Sequence, residues 1–119
     1  VSLNTPLTSE TRQLIGEREL SLMKESAFLV NTARGEVVDE QALIRHLEQG
    51  KLAGAGLDVF EKEPHIPEAL LKLDNVVLTP HIGTATHEVR VEMTNEACQN
   101  IIDFFRGKMP ASTINPQVF

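Results

Sequence analysis

Three apolar runs in this 119-residue sequence end on residues able to bind anions or move protons. AFLVN (27–31) leads into Thr32-Ala33-Arg34-Gly35. AGAGL (53–57) leads into Asp58 and, shortly beyond, Glu63-Pro64. NVVLT (75–79) leads into Pro80-His81-Ile82-Gly83. Arginine offers a planar fork that grips a carboxylate through two parallel hydrogen bonds. A histidine beside a carboxylate has its ring orientation fixed and can deliver a proton to an oxygen, which is general acid catalysis. Glu63 is the candidate for that carboxylate, with Glu61 as its competitor. Asp58, nearer its strand, could accept a bond from a cofactor amide. A surface that binds a carboxylate and protonates a neighbouring oxygen suits reduction of a 2-keto acid, with hydride from a nicotinamide.

These residues work together only if the three runs are parallel strands, because open parallel sheets bind ligands outside the carboxyl ends of their strands. The rest of the chain favours that arrangement. Residues 1–4 form a candidate strand, interrupted by Pro6 and Thr8-Ser9. GERELSLMK, opening at Gly16, has acids in its first turn and a lysine in its last, as a helix dipole prefers. AFLVN and NVVLT lack a polar face and read as strands buried on both sides. Asp39 is a candidate N-cap for a helix with Leu43, Ile44 and Leu47 on one stripe, ended by Gly50. The glycines of AGAGL suggest that something approaches the backbone closely there. EALLKL is a short helix after Pro64 and Pro67. From Thr86 runs a long helix with Val89, Met93, Ala97, Ile101, Phe104 and Phe105 as an apolar stripe, most simply core, stopped by Gly107 and Pro110. Such alternation defines an α/β protein: a parallel sheet with helices on its faces. Four strands fall short of the usual doubly wound five or six. Val1-Ser2-Leu3 reads as a strand already under way, so further strands are expected upstream.

The bulk numbers close off other functions. A net charge of −6 argues against nucleic acid or an anionic membrane as main partner, since both need a basic surface. No stretch approaches the ~20 apolar residues of a membrane span. Cys98 is the single cysteine, so no internal disulfide can form, and it reads as packing beside the long helix's stripe. These features fit a cytoplasmic protein. His46, between Arg45 and Leu47, reads as solvated helix surface, and His65 as loop. His87 opens the long helix and could line the site. His81, His87 and Glu88 have no spacing that fixes a metal geometry, so no metal site is expected.

The segments NTARGEVVDEQAL, GAGLDVFEKEP and TPHIGTAT, with PLTSETRQLI upstream, resemble the signature blocks of the D-isomer-specific 2-hydroxyacid dehydrogenases. The likeness runs from Val1 to about Pro116, and HIGTATHEVR…INPQVF looks most like the glyoxylate/hydroxypyruvate and 2-ketogluconate reductases. It implies the C-terminal half of a Rossmann-type nucleotide-binding domain over residues 1–92. Residues 93–119 would be a crossing helix and tail belonging to a substrate domain, the stripe then partly exposed and open to association. It implies NAD or NADP as cofactor, a small 2-keto or 2-hydroxy acid as substrate, and a homodimer. Arg34 matches the substrate-binding arginine, His81 the acid/base, and Glu63 the carboxylate that holds its imidazole. Asp58 matches the residue contacting the nicotinamide carboxamide. Thr32 and Gly83 match positions whose backbone lies against the cofactor, Pro6 another, and Thr84 flanks the substrate beside His81.

Two features depart from the family pattern. The glycine-rich phosphate loop GxGxxG is missing: Gly54 and Gly56 lack the third glycine and the helix that should follow. Asn4 stands where many relatives carry histidine, which affects the adjacent ribose contact. Two other readings stand beside the reductase: a dinucleotide-sensing module that binds a partner protein, and an inactive fragment of such an enzyme.

Overall fold

The computed structural model describes residues 1–118, and the chain divides into two compact units, Val1–Gly83 and Thr84–Phe119. In the first unit, strands β1 (Ser2–Leu3), β2 (Phe28–Asn31), β3 (Gly54–Leu57) and β4 (Val76–Leu78) form one parallel sheet in the order β1-β2-β3-β4. Helices α1 (Glu17–Ser21), α2 (Glu40–Glu48) and α3 (Glu68–Leu71) alternate with the strands. The register sets Leu3, Asn31, Leu57 and Leu78 in one row across the sheet. Every strand therefore ends on the same rim.

Local chemistry explains the elements. The Asp39 side chain accepts the Ala42 N–H at 2.9 Å and starts α2. Gly50 follows its end with φ +66, a conformation that costs glycine little. The Glu19 carboxylate reaches back to the Gly16 N–H and starts α1. That helix is shorter than the run to Lys24 expected from the dipole pattern. Its last residue, Ser21, turns its hydroxyl onto the Glu17 carbonyl, which competes with the ladder. Gly54 bears out the expected close approach: a Cβ there would come within 2.5 Å of the Asn75 carbonyl oxygen and 2.9 Å of the Phe28 ring.

The core gathers Leu20 from α1, Leu43 and Leu47 from α2, Leu70 from α3, and Leu29, Ala55 and Leu57 from the sheet. Each fully buried leucine contributes about 1.5–3 kcal/mol. All three helices thus contribute to one cluster on one face of the sheet, which corrects the expectation of strands buried on both sides. Phe28 and Val77, on the opposite face, are 61% and 68% exposed. His46 is a second correction. It is 2% exposed rather than solvated, with Nδ1 donating to the Ala42 carbonyl at 2.9 Å and Nε2 3.3 Å from the Ser21 hydroxyl. The reason is tertiary: α1 lies against that side of α2.

The second unit holds α4 (His87–Phe105), started by the Thr86 hydroxyl, which accepts the Val89 N–H at 3.3 Å. No residue of α4 is buried, and Met93, Ile101, Phe104 and Phe105 are exposed. Among the described residues the stripe is exposed, which departs from its reading as core and accords with the partial exposure also expected of it. Cys98, expected as packing, is exposed as well. A 3₁₀ turn spans Pro116–Val118. The expected segment 93–119 ends on Phe119, which lies outside the described residues. Among the described residues no helix is long and apolar enough to cross a membrane, and no group of histidine, cysteine and carboxylates could hold a metal.

Candidate active site

The turn after β2 is built by a residue that reads only as part of its strand. Asn31 points inward, alternating with exposed Val30, and is almost fully buried. Its oxygen accepts the Ala33 N–H at 3.1 Å, and its amide donates to the Arg34 carbonyl at 3.0 Å. A polar residue at an inward strand position is the signal that identifies such a turn-former. The turn leaves Arg34 extended and exposed, with Nη1 donating to the Ala33 carbonyl at 2.7 Å. Gly35 then presses on the next loop: a Cβ there would lie 2.0 Å from the Phe60 carbonyl carbon. Only glycine fits, and this contact brings the Arg34 turn against the chain that follows β3.

That chain carries Asp58 and Glu63. Asp58 is 7% exposed, and both its oxygens are engaged. Oδ1 accepts from the Thr79 hydroxyl at 2.5 Å and the Ile82 N–H at 2.9 Å, and Oδ2 accepts from the Gly83 N–H at 3.1 Å. The Asp58 carbonyl also accepts the His81 N–H at 2.9 Å. Burial raises its carboxyl, but those three donors and the nearby His81 outweigh burial, and the net shift is downward. Asp58 thus pins the loop after β4. A carboxylate has about four acceptor positions, so one remains on Oδ2.

In that pinned loop His81 adopts φ +53, a left-handed conformation that costs a non-glycine residue about 1–3 kcal/mol. Its Nδ1 lies 2.7 Å from Glu63 Oε2. Glu63 Oε1 accepts the Phe60 N–H at 3.0 Å. The hydrogen bond to His81 is the main force holding the Glu63 carboxyl below the usual glutamate range. Partial burial opposes it, while the Phe60 N–H and the charges of His81 and Arg34 add to it. Glu61, the competing carboxylate, instead offers its backbone N–H to Glu40 at 3.2 Å.

Two depressions flank Arg34. Along one lie Asn4, Thr5, Pro6, Leu7, Thr32 and Ala33. Along the other lie Gly35, Lys62, Glu63 and His81. The structure thus brings Arg34, Glu63 and His81 together along one depression, sets Pro6 and Thr32 with Arg34 along the other, and joins Asp58 to Gly83 directly. Thr84 opens the second unit and is exposed. Asn31, Gly35, Glu40 and Thr79 are supports that sequence reasoning missed.

Comparison with known proteins gives the family. Residues 1–83 match the model of the D-isomer specific 2-hydroxyacid dehydrogenase, NAD binding domain. The chain belongs to the D-isomer specific 2-hydroxyacid dehydrogenase family. It is 55% identical over 118 residues to the glyoxylate reductase of Thermococcus litoralis, covering 99% of this chain and 36% of that protein. The crystal structure of a glyoxylate reductase from Paecilomyes thermophila superposes with TM-score 0.84 at 46% identity, covering 91% of this chain and 33% of that one. The NADPH-dependent glyoxylate/hydroxypyruvate reductase of Sinorhizobium meliloti, solved with NADP and malonate, superposes with TM-score 0.85 at 40% identity, covering 87% and 33%. The chain therefore spans about a third of the length of the relatives it matches.

Proposed function

We propose that this chain is the acid/base and nicotinamide-side portion of a reductase that converts a small 2-keto acid, of the glyoxylate or hydroxypyruvate type, to the D-2-hydroxy acid. The observation that carries the reading is the His81–Glu63 pair at 2.7 Å beside Arg34. The Nδ1–H of His81 donates to Glu63, which leaves Nε2 as the nitrogen that hands a proton to the carbonyl oxygen. Arg34 holds the substrate carboxylate through its fork, fixing the carbonyl beside His81.

A nicotinamide cofactor fits the residues present. The depression along Pro6 and Thr32 lies at the ends of β1 and β2, where parallel sheets bind nucleotides. Asp58 keeps one acceptor position for a carboxamide N–H, and the Gly83 backbone lies against it. When bound, the nicotinamide supplies hydride to the keto carbon. NADP in the Sinorhizobium relative and the NAD binding description of the family model support either dinucleotide. In this reading residues 1–92 serve the nucleotide domain and 93–119 the substrate domain, with Thr84 flanking the substrate. The homodimer rests on the family resemblance, and the cytoplasmic setting on the single cysteine, Cys98, which leaves no internal disulfide to form.

The experiment is Arg34→Ala in the full-length protein, assayed with glyoxylate and hydroxypyruvate. Loss of the carboxylate clamp lowers kcat/KM on the order of 10³-fold. An unchanged kcat/KM refutes the role given to Arg34, and no turnover by the parent protein refutes the reductase reading.

A further inference from the structure

Glu40 is a carboxylate with no part in the proposed reaction. It opens α2, is 8% exposed, and its Oε2 accepts the Glu61 N–H at 3.2 Å. Burial pushes its carboxyl above the usual range, against the pull of that N–H; Glu61 adds to the rise, while Lys62 and His65 oppose it. A carboxylate withdrawn from water is costly unless its bonds serve the structure.

The group it binds is a junction. The Phe60–Glu61 peptide also sits against Gly35, where an added Cβ would come within 2.0 Å of the Phe60 carbonyl carbon and 2.4 Å of the Glu61 nitrogen. One peptide is thus gripped twice, by Gly35 and by Glu40, both just downstream of Arg34. On its other side the Phe60 N–H donates to Glu63, whose second oxygen holds His81. We infer that Glu40 is a positioning residue: it fastens the loop carrying Glu63 to the segment carrying Arg34, and so sets the spacing between the substrate clamp and the proton donor. The kinetic side of this inference rests on the reductase reading; the fastening itself does not.

The test compares Glu40→Ala, Glu40→Gln and Glu40→Asp in the full-length protein. It reads kcat and KM for glyoxylate, KM for the cofactor, and hydrogen exchange of the segment containing Glu61. Glu40→Ala is expected to lower kcat roughly tenfold through misplacement, to leave the cofactor KM in place, and to speed exchange at Glu61. In Glu40→Gln an amide oxygen accepts the same N–H, so kcat returns to within about twofold of the parent. In Glu40→Asp the shorter side chain does not reach, and the variant follows Glu40→Ala. A purely structural residue would lower Tm while kcat per folded molecule stayed flat across the three variants; that pattern overturns the inference. If Glu40→Ala does not fold, the contrast between the Gln and Asp variants decides. If the parent does not turn over keto acids, the reductase reading fails alone, and unaltered Glu61 exchange in Glu40→Ala still overturns the fastening.

Discussion

Replacing Asp58 by asparagine tests whether this carboxylate is the staple of the His81 loop. Three donors converge on it: the Thr79 hydroxyl, the Ile82 N–H and the Gly83 N–H. Bonds to a charged acceptor contribute about 1.5–3 kcal/mol each, against about 0.5–1.5 for neutral ones. Asparagine has one oxygen. Placed at the Oδ1 position, it keeps Thr79 and Ile82 but weakens each bond by about 1 kcal/mol. Its NH₂ then faces the Gly83 N–H, donor to donor, and the orphaned group costs a further 1–3 kcal/mol or about that. The expected loss is about 3–5 kcal/mol, a large share of a typical domain's stability. Urea unfolding at pH 7 reads it as a lower midpoint at unchanged slope. The pH dependence adds a second check. Asp58's folded pKa is lowered, so its stabilisation is fully present above the unfolded value, about 3.9, and is lost as pH falls through the folded one. The gap between parent and variant should hold from pH 7 to about 5 and close in stronger acid. A loss under about 1 kcal/mol at pH 7, or a gap that widens on acidification, would refute the staple.

Four further outcomes are expected. Glu63→Gln has one acceptor oxygen for two donors, the His81 Nδ1–H and the Phe60 N–H, and also removes the charge that orients the ring, so kcat for keto-acid reduction should fall on the order of 10²-fold; a steady-state assay showing an unchanged kcat removes Glu63 from the mechanism. Because the Glu63 carboxyl is held low, its contribution to stability should persist down to about pH 4 and fade as pH drops through its folded pKa. Gly35→Ala places a Cβ against the Phe60 backbone, which cannot swing aside as a side chain could, so a loss of about 3 kcal/mol or more is expected; thermal unfolding at the parent Tm would contradict the close approach. His46→Ala empties a buried site and breaks the contact to Ser21, costing about 2–4 kcal/mol; a difference below about 0.5 kcal/mol in chemical denaturation would mean that His46 is solvated after all.

The sequence by itself determined what depends on near neighbours. Asp39, Gly50 and Thr86 mark helix ends because each acts on backbone within a few residues of itself. The apolar runs at 27–31, 53–57 and 75–79 become parallel strands, and parallel pairing alone carries Arg34, Asp58 and His81 to one rim. That is why the candidate set was legible without any contact being known. Tertiary structure decided which partners meet. Whether Glu61 or Glu63 holds His81 depends on how the loop after β3 lies against Gly35 and Glu40. Asp58 and its donors are 21 to 25 residues apart, so their meeting depends on the register of β3 against β4. His46 reads as surface within its own helix and is buried only because α1 lies against it. In each case the deciding energy comes from desolvation and hydrogen bonding between segments far apart in the chain, and no local pattern of residue types encodes those terms.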